Sequence, residues 1–255
     1  MRAKKSLGQN FLESEAVINT IIETADLNDN DIVLEIGPGK GILTKRLLEK
    51  AKEVVAIEKD HVLFERLKKT FNKEIEEGRL GLINGDILKI ENLGLERYKL
   101  VANIPYYITG EILREFLSNR TQPERIVLML QKEVVERIVA KDGKESILSI
   151  SVKAYGEPKY IEKVGKENFQ PKPKVDSAIL LIENISKKNF EEIDEKEFFN
   201  LVKKGFSQKR KLLTNNLKEF LPEAAFELCK IPLKSRAENL SLNNWKCLLK
   251  TTKSL

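Results

Sequence analysis

The sequence predicts an α/β domain built on a buried, mostly parallel sheet and followed by a small all-helical domain, and three observations carry this. Short, almost wholly apolar runs, of which 32–36 (IVLEI) and 126–130 (IVLML) are the clearest, suit strands covered on both faces. Segments with apolar residues at three- and four-residue spacing separate them, and such alternation marks βαβ units. After about residue 186 the strand signal stops. Helical patterns then run over 194–206, 209–220, 222–229 and 241–250, with Pro222 and Pro232 as breaks. The boundary is placed at 185–189, which gives domains of 1–185 and 186–255 within the 255 residues.

Taken in order, Arg2, Lys4 and Lys5 open the chain. After SLGQNFL comes a helix with Val17, Ile18, Ile21, Ile22 and Ala25 on one face and Ser14 as its expected cap. The polar cluster 28–31 is a turn before the strand 32–36, and Gly37-Pro38-Gly39-Lys40-Gly41 leads into a helix carrying Ile42, Leu43, Leu47 and Leu48. A second strand, 54–57, ends at Glu58, and a helix over 60–77 precedes strand 80–83 with Gly85-Asp86 at its end. Leu100 to Ala102 close the fourth strand, and Asn103-Ile104-Pro105-Tyr106-Tyr107 follows, with Thr109 as the expected cap of the next helix. Strand 126–130, helices within 131–155 and closing strands 160–164 and 177–182 complete the domain. Between those last strands the prolines of Phe169-Gln170-Pro171-Lys172-Pro173-Lys174 exclude a helix and favour an extended, exposed loop, with the Phe169 ring left unburied.

Composition narrows the function classes. Residues 186–255 carry 15 Lys and Arg against 9 Asp and Glu, so the whole net charge of +6 lies there. The run Lys203, Lys204, Lys209, Arg210 and Lys211 contains no acid and suits a polyanion as well as it suits a solvated helix face. No apolar run approaches the roughly 18 residues of a membrane span, and the N-terminus lacks the long apolar core of a secretory signal. A cytoplasmic protein is expected. Cys229 and Cys247 form no CxxC and the single histidine, His61, is distant in sequence. Neither a metal site nor a disulfide framework is expected, and both cysteines read as small buried apolar groups.

Open α/β sheets bind ligands at the carboxyl ends of their strands, where the notable residues of this chain fall. Gly37-x-Gly39-x-Gly41 departs from the GxGxxG of dinucleotide sites, whose third glycine serves a pyrophosphate. S-adenosylmethionine has no pyrophosphate. It needs close backbone approach at Gly37, a carboxylate for its ribose at Glu58, 21 residues beyond Gly37, and an acceptor for its adenine amine, which Asp86 supplies. Pro105 pushes Ile104 towards an extended conformation, so the Asn103 side chain and the Ile104 carbonyl converge as two acceptors beside the Tyr106 ring. An exocyclic nucleobase amine requires that set.

With these residues assembled, the sequence resembles the KsgA-type dimethyladenosine transferases of small-subunit (16S) ribosomal RNA. The matching pieces are LGQNFL at 7–12, EIGPGKG at 35–41, Glu58, GD at 85–86, NIPYY at 103–107, FQPKPKVDSA at 169–178, FSQKRKLLTNNL at 206–217 and RAENLS at 236–241. The resemblance implies a Rossmann-like class I S-adenosyl-L-methionine-dependent methyltransferase domain with no metal. It implies donor contacts from Asn10, Leu12, Gly37, Gly39, Glu58, Asp86 and Asn103, and a target adenine held by Asn103, Ile104, Pro105, Tyr106 and Phe169. The helical domain would bind RNA through Lys203, Lys204, Lys209, Arg210 and Lys211, and a monomer would act on small-subunit rRNA within a partly assembled small ribosomal subunit. Tyr107 departs from the Asn frequent in bacterial relatives. The erythromycin-resistance methylases of large-subunit RNA share NIPY but are less similar after residue 186, a DNA adenine methylase would carry a different tetrapeptide, and a non-catalytic ribosome-assembly factor would not need the intact donor residues.

Overall fold

The computed structural model describes residues 9–90 and 92–252, and for Tyr106 the backbone alone. The chain divides into two compact units, residues 1–135 with 157–185, and residues 136–156 with 186–255. In chain order the elements are β1 (Phe11–Leu12), α1 (Glu15–Ala25), β2 (Ile32–Ile36), α2 (Ile42–Leu48), β3 (Glu53–Glu58), α3 (His61–Thr70), α4 (Asn72–Glu76), β4 (Leu80–Asn84), β5 (Lys99–Asn103), α5 (Thr109–Ser118) and β6 (Arg125–Gln131). There follow α6 (Lys132–Val139), α7 (Ile147–Lys153), β7 (Glu157–Val164), β8 (Phe169–Gln170), β9 (Ser177–Glu183), α8 (Glu195–Gly205), α9 (Leu213–Leu217), α10 (Glu223–Leu228) and α11 (Leu242–Thr251).

The first unit holds a seven-stranded sheet of order β4-β3-β2-β5-β6-β9-β7. The first five strands run parallel, and β9 lies antiparallel to both β6 and β7. The chain runs outwards from β2 through β3 to β4, then returns to the other side of β2 with β5. That reversal is a topological switch point, the place where an α/β sheet opens a crevice at its carboxyl edge. One face is covered by α1 and α2, whose Ile18, Ile21, Leu43 and Leu47 join Val33, Val54, Val101 and Val127 in a single core. Each fully buried Ile or Leu contributes about 1.5–3 kcal/mol relative to exposure.

Several local expectations are corrected. Ser14 occupies the cap position of α1 with extended backbone, yet its side chain makes no capping bond. Thr109 is the first helical residue of α5 and not its cap. The helix expected over 60–77 is divided at Phe71, which leaves the helical path and buries its ring to 5 % exposure. The loop after 168 is not wholly exposed. Phe169 and Gln170 pair antiparallel with β1, Leu12 opposite Phe169, and the Phe169 ring is 2 % exposed within the core.

The second unit is all-helical and gains residues 136–156, which the sequence boundary had assigned to the first. Three ties explain this. The Tyr155 ring stands 5.2 Å from Phe190 and 5.9 Å from Phe199, the Asn189 amide donates to the Ala154 carbonyl at 3.0 Å, and the Glu145 N–H donates to the Glu238 carbonyl at 2.8 Å. Trp245 is fully buried at the centre of the helices, its ring 5.7 Å from Phe206. A Cβ on Gly205 would lie 2.2 Å from that indole, so α8 approaches α11 only with glycine there. The two cysteines are not separate apolar groups. The end of α10 and the middle of α11 bring Cys229 and Cys247 to a Cα separation of 5.8 Å, and they form a disulfide.

Candidate active site

The switch point opens into a cavity of about 380 Å³ lined from four successive strand ends and from the segment before α1. Asn10, Leu12, Gly37, Gly39, Glu58, Asp86 and Asn103, all singled out in the sequence, line this one space, together with Ile104 and Pro105. Phe169 is not among the lining residues. Its buried ring corrects the expectation that the loop leaves it exposed. The ring of Tyr106 lies outside what is described, as do Leu7 and Gly8.

The glycine turn is shaped by its own backbone and by a carboxylate. Gly37 adopts φ +69°, a region where an L side chain is strained, and a Cβ there would meet nothing within 4 Å, so the space beside this lining residue is open. The Gly37 N–H donates to the Ile57 carbonyl at 2.9 Å, tying the turn to β3. Gly41 serves packing instead, since a Cβ there would lie 2.6 Å from the Phe71 ring.

Glu58, 5 % exposed, accepts the Gly39 N–H at 3.0 Å on one oxygen and the Asp60 N–H at 2.8 Å on the other. Burial pushes its carboxyl above the usual carboxylate range, against the pull of those two backbone donors. A carboxylate offers about four acceptor sites, so beyond its backbone donors, among which Lys59 also counts, it keeps capacity to accept from a ribose hydroxyl. Asp86 is held differently. Its Oδ2 pairs with the Lys59 ammonium at 2.8 Å and its Oδ1 accepts the Leu88 N–H at 3.3 Å, so the hydrogen bond to Lys59 holds its carboxyl low.

At the end of β5, the Asn103 Nδ2 donates to the Asn10 carbonyl at 3.3 Å, which orients the side-chain oxygen as an acceptor. Ile104 is 1 % exposed, so its apolar side chain anchors the peptide whose carbonyl follows. Pro105, with φ −58°, starts a short 3-10 turn over Tyr106–Ile108, closed by the Ile108 N–H on the Pro105 carbonyl at 3.3 Å. Tyr107 stands at the cavity rim, 59 % exposed.

Three polar residues escaped the sequence reading. Lys59 pairs with Asp86, and its position beside Glu58 at a strand end was the available signal. Glu35 sits within the apolar strand IVLEI, 1 % exposed, and an acid in a run buried on both faces is itself a signal. Asn216 fixes the basic turn of the second unit, donating to the Gly205 carbonyl at 2.7 Å and the Gln208 carbonyl at 3.2 Å. Lys203 and Lys204 end α8, and Lys209, Arg210 and Lys211 occupy this turn, not the helix expected over 209–220. All five are exposed. Lys204 also lies 5.3 Å from the centroid of the exposed Phe220 ring.

The model of the family described as ribosomal RNA adenine dimethylase matches residues 1–253. The chain belongs to the ribosomal RNA adenine dimethylase family. A relative in Dehalococcoides mccartyi named ribosomal RNA small subunit methyltransferase A is 42 % identical over 97 % of this chain and 88 % of its own length. One of the same name in Mycoplasmopsis pulmonis is 42 % identical over 97 % of this chain and 98 % of its own. Among solved structures, a dimethyladenosine transferase from Plasmodium falciparum superposes with a TM-score of 0.81 at 30 % identity, over 96 % of this chain and 98 % of that one. The 23S rRNA methyltransferase ErmE also gives 0.81, at 27 % identity, over 96 % of this chain and all of that one. The dimethylase family and these neighbours make the first unit a Rossmann-like class I methyltransferase domain and the chain an rRNA adenine dimethyltransferase that depends on S-adenosylmethionine.

Proposed function

We propose that this dimethylase transfers two methyl groups to N6 of each of two adjacent adenosines in the 3′-terminal hairpin of small-subunit rRNA, acting as a cytoplasmic monomer on a partly assembled subunit. The observation that carries the chemistry is the meeting of Gly37, Glu58, Asp86 and Asn103 in one cavity. The choice of small-subunit RNA rests on the 42 % identity to the small-subunit enzymes against 27 % to ErmE. The equal TM-scores leave the large-subunit reading as the one to test against.

The cavity by itself suits the methyl donor: open space at Gly37, a pinned carboxylate with acceptor capacity to spare at Glu58, and an acceptor at Asp86. S-adenosylmethionine supplies an electrophilic methyl group. Glu58 accepts from its ribose, Asp86 from its adenine amine, and the backbone at Gly37 permits close approach. The Asn103 oxygen and the Ile104 carbonyl accept the two N–H bonds of the target amine and aim its nitrogen for in-line attack. The amine becomes acidic as it is methylated, so positioning supplies most of the rate and no strong base is needed. Extruding the adenosine costs a few kcal/mol, and stacking on an aromatic face offsets about 1–3 kcal/mol of that. Tyr106 is assigned this role, and Phe169 joins it only if its ring leaves the core. In the second unit Lys203, Lys204, Lys209, Arg210 and Lys211 bind phosphates. The test is to incubate the protein and labelled donor with small subunits, free small-subunit RNA, large-subunit RNA and duplex DNA, then map dimethyladenosine. Label in the small-subunit hairpin is expected, and label chiefly in large-subunit RNA refutes the assignment.

A further inference from the structure

Glu35 is a buried acid that the chemistry above does not use. It belongs to β2, directly before the glycine turn, and lines the donor cavity. Its side chain is 1 % exposed and its Oε2 has no hydrogen-bond partner among the described residues, and the Thr44 hydroxyl of α2 is buried in the same state. An ionised carboxylate in that setting is heavily penalised unless a cation joins it. Among the described residues none is at hand. The cations that line the cavity, Lys40 and Lys59, are committed to Glu13 at 2.7 Å and Asp86 at 2.8 Å. The facing group of β5 is the apolar Val101. From β3 the charge that reaches Glu35 is that of Glu58, which disfavours a second negative charge.

We infer that Glu35 is neutral in the free protein and ionises when the positively charged donor fills the cavity, so that donor binding expels one proton from this carboxyl to solvent. The inference rests on the methyl-donor reading of the cavity. The balance is simple: the O–H bond of Glu35 breaks, the proton passes to buffer, and the carboxylate offsets the charge the donor brings. Burial pushes the carboxyl up to about 8 and the Glu58 charge adds to this, so at pH 7 the free protein holds the proton. Glu35 is thereby a positioning residue that favours a cationic ligand in this cavity.

Calorimetric titration of the full chain with S-adenosylmethionine at pH 7, in two buffers of different ionisation enthalpy, counts the protons exchanged. The wild type is expected to release about one proton per donor bound, and E35Q none. Between pH 5.5 and 7, below the range in which the donor's own amine titrates, wild-type affinity should rise about tenfold per pH unit, and that of E35Q should stay flat. Glu58, whose carboxyl is also raised, is the competing source, and release that survives in E35Q overturns the proposal. Tight wild-type binding with no proton released overturns it also, even if E35Q fails to fold. An absence of any donor binding by the wild type defeats the methyl-donor reading itself.

Discussion

The Glu58 carboxylate takes the Gly39 backbone N–H at 3.0 Å, so the acid ending β3 holds the glycine turn that ends β2. One side chain therefore shapes the turn and meets the ligand. Glu58→Ala should weaken binding of the donor or of its demethylated product by roughly 1.5–3 kcal/mol for each charged hydrogen bond removed. It should also loosen the turn, seen as faster amide exchange at Gly39. Calorimetry reads the first effect, and NAD should bind neither form.

Asn103→Ala should separate binding from chemistry. Donor affinity should fall only modestly, while single-turnover methyl transfer drops on the order of a hundredfold from misplacement of the amine. Turnover within about threefold of wild type, under 1 kcal/mol of barrier, would remove Asn103 from its assigned role.

Two glycines of the same turn should fail in different ways. Gly37→Ala strains a backbone at φ +69° and adds a methyl group at a residue lining the cavity, so donor affinity should fall in addition to a stability loss of about 1–2 kcal/mol from backbone strain. Gly41→Ala drives a Cβ to 2.6 Å from Phe71, so its melting temperature should fall further than that of Gly37→Ala. Equal losses of stability with unchanged donor affinity would contradict the distinction.

Glu35 also makes stability depend on pH. Its carboxyl is raised from 4.5 to about 8 in the folded protein, so between these values the folded state binds more protons than the unfolded one. Stability therefore falls as pH rises across that window. Glu35→Gln should flatten the fall, gaining more melting temperature at pH 8 than at pH 5, by up to a few kcal/mol in free energy. A parallel offset at both pH values would mean that Glu35 is ionised throughout.

In the second unit, replacing Lys209, Arg210 and Lys211 with Ala should make the salt dependence of RNA binding shallower, by about 0.7–0.9 log–log units for each phosphate no longer neutralised. Donor affinity should not change. Asn216→Ala should weaken RNA binding without removing any charge, because the Gly205 and Gln208 carbonyls lose their donor and the basic turn loses its anchor. Filter binding across a salt series distinguishes a changed slope from a changed intercept.

The strand and helix order, the parallel character of the central strands and the residues at their ends follow from local pattern. Apolar period, glycine turns and strand-end polar residues are properties of a few neighbours in sequence, and a switch-point sheet converts four such neighbourhoods into one cavity. Tertiary structure alone decided the rest. Pairing of Leu12 with Phe169 spans most of the first unit and buries a ring that its proline-rich flank suggested was exposed. Residues 136–156 look like any amphipathic pair of helices until Tyr155 meets Phe190 and Phe199. Cys229 and Cys247 carry no spacing signal, and only the approach of α10 to α11 bonds them. The neutrality of Glu35 is likewise absent from the letters IVLEI, because desolvation is set by what packs around a carboxyl and not by its neighbours along the chain.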